Sequence, residues 1–258
     1  MATRNTPFAP GTPSWVDLMS SDVAKAKDFY SNLMGWTSEE SGSEYGNYVT
    51  FLSDGHKVAG LMANPGTGAP DGWNTYLTTE DAQATVDAAT AAGGTVLMPV
   101  MEVPEQGTMA TLADPAGAVF GIWQPGGHTG FQKYNEPNSV SWDELHTKDY
   151  QASKDFYGKV FGLGYQTAGD TDEFRYFTGQ VDGQDVFGLM DSKAFLPAEV
   201  PSHWAVYFGV ADVDAACARA VELGGSIVRP AEDTPYGRLA DLTDPTGANF
   251  KLHAPISS

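Results

Sequence analysis

Ser14-Trp-Val-Asp-Leu-Met-Ser-Ser-Asp22 is answered later in the chain by Ser141-Trp-Asp-Glu-Leu-His-Thr-Lys-Asp149, and Trp15 and Trp142 are 127 residues apart. The pairing continues in order. Phe29-Tyr30 meets Phe156-Tyr157, Gly35 meets Gly162, and Gly60-Leu61-Met62 meets Gly188-Leu189-Met190. Gly93-Gly94 then maps to Gly224-Gly225, and Asp114-Pro-Ala-Gly-Ala118 to Asp244-Pro-Thr-Gly-Ala248. Landmarks that recur in one order identify an internal duplication, and they set the fold.

Each half opens with a short alternating strand that runs into a helix. Its apolar positions recur at helical spacing: Val23, Ala26, Phe29, Tyr30 and Leu33, then Tyr150, Ser153, Phe156, Tyr157 and Val160. Asp22 and Asp149 are expected N-caps, and Gly35 and Gly162 are expected to end those helices. Three strands follow, around Thr37 to Glu40, Tyr48 to Leu52 and Val58 to Met62 in the first half. A second βαβββ unit starts at Asn74 to Thr78, continues through a helix from Ala82 to Ala92 and ends on Ala118 to Trp123. The expected fold class is therefore α+β: four βαβββ modules paired into two domains, each a curved mixed sheet around a concave cavity with helices outside. The expected boundaries are 1–125 and 138–258, with a linker over 126–137 that begins in the Pro- and Gly-dense stretch Gln124-Pro-Gly-Gly-His-Thr-Gly130.

Composition narrows the function. The 258 residues include 14 Lys and Arg against 33 Asp and Glu, a formal charge of −19. Such a surface repels phosphate backbones and anionic lipid, so nucleic acid and membranes are not expected partners. No apolar run approaches a bilayer span and the N-terminus has no apolar leader segment, which points to a cytoplasmic protein. The single cysteine, Cys217, has no partner for an internal disulfide and falls in a helical pattern as core filling. Nucleotide loops, a Gly-x-Ser-x-Gly elbow and a His-Glu-x-x-His pair are missing from the sequence, so no cofactor is expected from these motifs.

The strand leading to Asp, the helix with Phe-Tyr and the strand after Asp-Pro-x-Gly resemble the vicinal oxygen chelate superfamily. That group includes glyoxalase I, bleomycin-resistance proteins and extradiol dioxygenases. Thr12-Pro-Ser-Trp-Val-Asp-Leu18, Trp142-Asp-Glu-Leu145, Phe120-Gly-Ile-Trp-Gln124 and His203-Trp-Ala-Val-Tyr207 are similar to its two-domain actinobacterial branch, whose members carry glyoxalase-like or hydroxylase names. The resemblance implies fixed strand positions for metal ligands. Those positions hold Trp15, Gly60, Asn74 and Gly121 in the first half, and Trp142, Gly188, Ala205 and Lys251 in the second. A divalent cation wants several imidazole or carboxylate donors, so the usual metal site is expected to be lost in both halves. A one-residue slip in a strand would reverse the faces, so this expectation depends on register.

Strand alternation puts Trp15, Asp17 and Met19 on the first cavity, with Asn74, Tyr76, Thr78, Val119, Gly121 and Trp123. The second is expected to receive Trp142, Glu144, His146, His203, Tyr207, Arg238, Ala240, Asn249, Lys251 and His253. Glu144 is the first candidate for a general base, or it is a structural ion-pair partner of Arg238 or Lys251. Asp17 is a base or is held by neighbouring tyrosines. Lys251 and Arg238 are candidate anion or oxyanion partners, and His146 or Tyr207 the candidate acid; Lys251 is otherwise a snorkelling or Glu144-paired side chain. His146, His203 and His253 are candidates to join Glu144 around an atypical metal; otherwise His203 and His253 are edge or surface histidines. Trp15, Trp142, Tyr76, Tyr207, Trp123, Met62 and Met190 line a pocket for a flat or apolar molecule, or fill the core.

Three functions follow as expectations. One is metal-independent binding, with acid–base transformation, of a small aromatic or carbonyl-bearing metabolite. Another is non-catalytic sequestration of the resistance type. The last is a metal-dependent lyase or dioxygenase with displaced ligands. The expected partner is a small molecule, and the chain is expected to be a monomer with an internal pseudo-two-fold or a homodimer.

Overall fold

A computed structural model describes residues 4–66 and 68–255. The first half contains β1 (Pro13–Ser20), α1 (Val23–Met34), β2 (Thr37–Glu40), β3 (Val49–Ser53) and β4 (His56–Ala63), then β5 (Gly72–Thr78), α2 (Ala82–Ala91), β6 (Thr95–Val103), β7 (Gly107–Ala113) and β8 (Val119–Pro125). The second half repeats this order as β9 (Ser139–Thr147), α3 (Tyr150–Phe161), β10 (Gly164–Asp170), β11 (Arg175–Val181) and β12 (Gln184–Asp191), then β13 (His203–Gly209), α4 (Val213–Glu222), β14 (Ser226–Thr234), β15 (Gly237–Thr243) and β16 (Asn249–Ala254). The four βαβββ modules are present in the order the duplication predicts.

The helix ends follow local chemistry. Asp22 and Asp149 accept from the backbone N–H of Lys25 and Ala152, and Asp81 and Asp212 cap α2 and α4 in the same way. Gly35 and Gly162 stop α1 and α3 at φ 67° and 69°, in the left-handed region that favours a residue without a Cβ.

Each half forms one eight-stranded mixed sheet, ordered β2-β3-β4-β1-β5-β8-β7-β6 and β10-β11-β12-β9-β13-β16-β15-β14. The first strands of the paired modules run antiparallel at the centre, with β4 and β8, or β12 and β16, parallel beside them. One face of each sheet carries the helices, and these helical faces pack against each other. One core cluster joins Phe29, Tyr30 and Trp36 of the first half to Phe208, Cys217 and Phe250 of the second. The other joins Val86 and Phe120 to Leu145, Phe156 and Tyr157. The opposite, helix-free faces are left for sites.

The repeated landmarks bind the halves together. Tyr30 accepts from Trp73 Nε1 at 2.9 Å with Asp244 beside it, while Tyr157 accepts from Trp204 Nε1 at 3.0 Å with Asp114 beside it. Ser153 Oγ donates to Asp114 Oδ2 at 2.9 Å. Each Asp-Pro-x-Gly aspartate thus meets a helix of the other half. Cys217 is buried in α4, as expected of core.

Candidate functional site

Glu144 lies at the centre of the second sheet, level with Gly188 on β12 and Ala205 on β13. It is buried, and three groups converge on it. Tyr176 Oη donates to Oε2 at 2.7 Å, Tyr207 Oη donates to Oε1 at 2.8 Å, and His146 Nε2 stands 2.9 Å from Oε1, at ion-pair distance but outside hydrogen-bond geometry. Burial alone would raise the Glu144 carboxyl, yet His146, the Tyr176 hydroxyl and the Lys251 charge outweigh it and bring it down to about 2. Glu144 is therefore a held carboxylate.

A second ring of groups surrounds it. Trp142 Nε1 donates to Tyr176 Oη at 3.1 Å, which leaves the tyrosine proton for Glu144. His203 stacks on His146 with ring centroids 5.3 Å apart, and burial lowers the His203 pKa. His146 Nδ1 is 3.0 Å from Ser192 Oγ. Lys251 Nζ pairs with Asp241 Oδ1 at 2.8 Å and lies 5.3 Å from the Tyr207 ring centroid. Met190, beside His146 in register, is half-buried, as are Trp142, His203 and Lys251. His253, also half-buried, lies farther along the sheet, with Nε2 at 3.1 Å from the Tyr236 carbonyl.

Arg238 and Ala240 do not face this site. Lys251 is level with Asp241 on β15, so alternation turns Arg238 and Ala240 to the helical face. Arg238 grips Asp214 of α4 at 2.7 and 2.9 Å, and Ala240 is in the core. The placement expected from sequence was one residue out of register in β15. Lys251 consequently takes Asp241 as its ion-pair partner.

The first sheet repeats the arrangement with different content. Trp15 Nε1 donates to Tyr48 Oη at 2.8 Å, and Tyr48 Oη is 3.5 Å from Asp17 Oδ2. Tyr76 approaches the same carboxyl from β5. Asn74 is level with Asp17 and Met62 with Met19; all but Asp17 are half-buried. Burial pushes Asp17 up to about 7, with only the two tyrosine hydroxyls opposing it. Trp15, Tyr76 and Trp123 are buried, and His128 from the connection lies against Trp15 with centroids 4.4 Å apart. Trp123 Nε1 donates to the His128 carbonyl at 2.8 Å.

Tyr48, Tyr176, Asp241, His128 and Asp143 escaped the sequence reading. Tyr48 and Tyr176 are repeat partners, and that symmetry was the available signal. Asp143 occupies the helical face where Val16 stands in the first half; Thr75 Oγ1 donates to its Oδ1 at 2.7 Å between the two sheets. Burial there pushes Asp143 up to about 7.

The family model described as the Glyoxalase/Bleomycin resistance protein/Dioxygenase superfamily matches residues 12–122 and again 139–252. The chain belongs to this superfamily. Among curated relatives, the superfamily member is 41% identical to the anthracycline biosynthesis protein DnrV of Streptomyces peucetius, over 96% of this chain and 94% of that one. It is 36% identical to "Putative glyoxylase CFP32" of Mycobacterium tuberculosis, over 98% of each chain. Among solved structures, the Mn(II)-bound glyoxalase from Novosphingobium aromaticivorans aligns with a TM-score of 0.67 at 16% identity, covering 96% of this chain and 83% of that one. The 2,3-dioxygenase LapB from Pseudomonas sp. KL28 aligns with a TM-score of 0.64 at 14% identity, over 97% and 93%. These two share the fold.

The residues of this superfamily member do not fit the metal that its fold implies. Trp15, Gly60, Gly121, Trp142, Gly188 and Ala205 offer no side-chain imidazole or carboxylate donor, and Lys251 brings a positive charge. The glycines have another use: a Cβ on Gly60 or Gly188 would collide with the hydroxyl of Tyr48 or Tyr176, and one on Gly121 with the ring of Tyr76. Tyrosines occupy the space over these positions. Among the described residues, no group of three or more His, Cys, Asp and Glu is arranged to hold a metal ion. No helix among them is long and apolar enough to cross a membrane.

Proposed function

We propose that this chain binds a flat aromatic, carbonyl-bearing small molecule on the helix-free face of its C-terminal sheet. The observation that carries this reading is the contrast between the two faces. In the first half the tryptophans are buried; in the second, half-buried Trp142, His146, His203 and Lys251 surround an ionised, buried Glu144. Half-buried aromatic and imidazole rings offer stacking area, and the fixed polar groups orient a ligand. The full-length similarity to a protein named for anthracycline biosynthesis supports a polycyclic aromatic ligand.

Binding is favoured over base catalysis by Glu144. A general base works best with a pKa near the working pH, and Glu144 is held near 2 by groups that already use its oxygens. Its role in this reading is to orient Tyr176, Tyr207 and His146 toward the ligand. Lys251 supplies positive charge beside Tyr207, and Arg238, on the helical face, has no part. The protein is proposed to act in the cytoplasm on a small molecule, with no nucleic-acid or membrane partner.

The test is a tryptophan-fluorescence titration with 1,4-dihydroxyanthraquinone. Trp142→Ala is expected to weaken binding about thirtyfold, the scale of a buried aromatic anchor, and Trp15→Ala to change it little. Glu144→Gln is expected to retain most of the affinity. Equal affinity of wild type and Trp142→Ala would overturn the reading.

A further inference from the structure

The β3–β4 and β11–β12 hairpins are built alike. Leu52 is level with Lys57 and Gln180 with Asp185, and each ladder shifts register at the same step. Each turns through an Asp-Gly pair at positive φ, Asp54-Gly55 at 52° and 78° and Asp182-Gly183 at 51° and 74°. Their flanks differ.

In the first half, the connection between the sheets lies along the hairpin as a short added strand. Phe131 N–H donates to the Ser14 carbonyl at 2.8 Å, and Gln132 N–H donates to the Lys57 carbonyl at 2.9 Å. Lys57 N–H in turn donates to Gln132 Oε1 at 3.0 Å. Lys133 Nζ then reaches Ser53 Oγ and Asp54 Oδ2, both at 2.9 Å, and Phe131 lies on Trp15 with centroids 5.6 Å apart. This segment closes an edge, because β1 pairs with β4 only from Asp17 onward.

In the second half the same edge is open. β9 pairs with β12 only from Glu144 onward. Ser141 is skipped in the ladder of β9 as Ser14 is in that of β1, and Asp185 holds the place of Lys57. Among the described residues, no connecting segment bonds to the backbone of Ser141 or Asp185. Asp182, at the place of Asp54, is exposed and has no ion-pair partner among them. A cleft of about 370 Å³ lies there, lined by Val181 and Asp182, the counterparts of Ser53 and Asp54, together with Ala9 and Pro10. Trp142 is half-buried where Trp15 is buried. The segment leading into β1 is engaged elsewhere: Arg4 N–H donates to the Gln132 carbonyl at 3.2 Å, and Asn5 Oδ1 accepts from Gln132 Nε2 at 3.3 Å.

We propose that the open flank of the β11–β12 hairpin docks an extended segment of another protein, with the pattern aromatic–polar–lysine, which adds a strand beside Asp185 as Phe131 to Lys133 do beside Lys57. Main-chain bonds to an exposed strand edge supply affinity in such additions, and side-chain seats supply selectivity. The backbone of Ser141 and Asp185 is the edge, Trp142 the seat for the aromatic ring and Asp182 the seat for the ammonium. A formal charge of −19 steers a basic segment toward this flank. A second copy is a poor occupant, because it carries the same charge and its own Phe131 to Lys133 are already bound. The inference does not rest on the small-molecule reading.

NMR titration of the full ¹⁵N-labelled chain with the capped peptide Gly-Phe-Gln-Lys-Tyr, the sequence of residues 130–134, tests this. Shifts are expected at Ser141, Asp182 and Asp185, and not at Ser14, Asp54 and Lys57. Methylating the backbone nitrogen of the peptide's glutamine is expected to weaken binding at least tenfold. Replacing its lysine by alanine should cost about threefold, the scale of an exposed ion pair, and should cost nothing against Asp182→Asn, whose side chain tolerates positive φ. No shift at Ser141 and Asp185, equal affinity of the methylated peptide, or the same lysine effect on Asp182→Asn would each overturn the proposal. A dimer of the chain alone that the peptide dissociates in sedimentation would overturn it in favour of a second copy. Asp182→Asn should leave anthraquinone affinity unchanged, so the two readings fail separately.

Discussion

Tyr176 of β11 reaches across Gly188 of β12 to donate its hydroxyl to Glu144 of β9 at 2.7 Å. The bond exists because the strand between them carries no side chain at that point. Gly188→Ala would place a methyl where the Tyr176 hydroxyl lies. It is expected to destabilise the fold by about 1 to 3 kcal/mol through overpacking. In a Tyr176→Ala background the same change should cost less than half as much, because the two sites share one space. Chemical denaturation of the four proteins checks this, and additive effects would contradict the contact.

Glu144 makes stability depend on acid. Its folded pKa is depressed to about 2 from an ordinary 4.5, so its contribution is fully present above the unfolded value and is lost as pH falls through the folded one. Wild type is expected to lose on the order of 3 kcal/mol between about pH 4.5 and pH 2 from this group. Glu144→Gln should flatten that part of the profile while lowering stability at pH 7. Urea midpoints measured across the acid range provide the readout.

Asp143 acts in the opposite sense. Its folded pKa is raised to about 7, so the native state keeps a proton that the unfolded chain releases near 3.8, and stability falls as pH rises through 7. Asp143→Asn retains an acceptor for Thr75 and carries no charge into the contact between the sheets. It is expected to be more stable than wild type by about 2 to 4 kcal/mol at pH 8, and close to wild type at pH 4. Thermal unfolding at the two pH values tests the sign as well as the size.

Asp114 accepts from the backbone N–H groups of Ala116 and Ala118 and from Ser153 of the other half. Asp114→Ala removes three bonds to a buried carboxylate and is expected to cost about 2 to 4 kcal/mol. Ser153→Ala should cost about 1 to 2 kcal/mol and show coupling to Asp114→Ala in a double-mutant cycle. Both should leave ligand affinity at Trp142 unchanged, because this contact lies on the helical face.

The parts of the site that were legible had a period. Trp15 with Asp17, and Trp142 with Glu144 and His146, fall on one face because side chains alternate along a strand, and the central strands hold that register. Tyr207 followed by the same rule. Arg238 did not, because the alternation within β15 was known but its register against β16 was not; Asp241 faces Lys251 and sends Arg238 to Asp214.

By itself the sequence determined the duplication, the four βαβββ modules, the capped helices and which residue types stand at the positions where the resemblance implies metal ligands. These follow from residue type, spacing and local backbone preference, which need only near neighbours. Only the tertiary structure decided that Tyr176 and Tyr207 converge on Glu144, that Gly60 and Gly188 make room for tyrosines, and that Asp114 and Asp244 join the two halves. It also decided that Glu144 is held ionised while Asp17 and Asp143 keep their protons to about pH 7. A carboxyl's charge depends on which donors stand within a few ångströms and how much water is excluded, and both are set by strands distant in sequence.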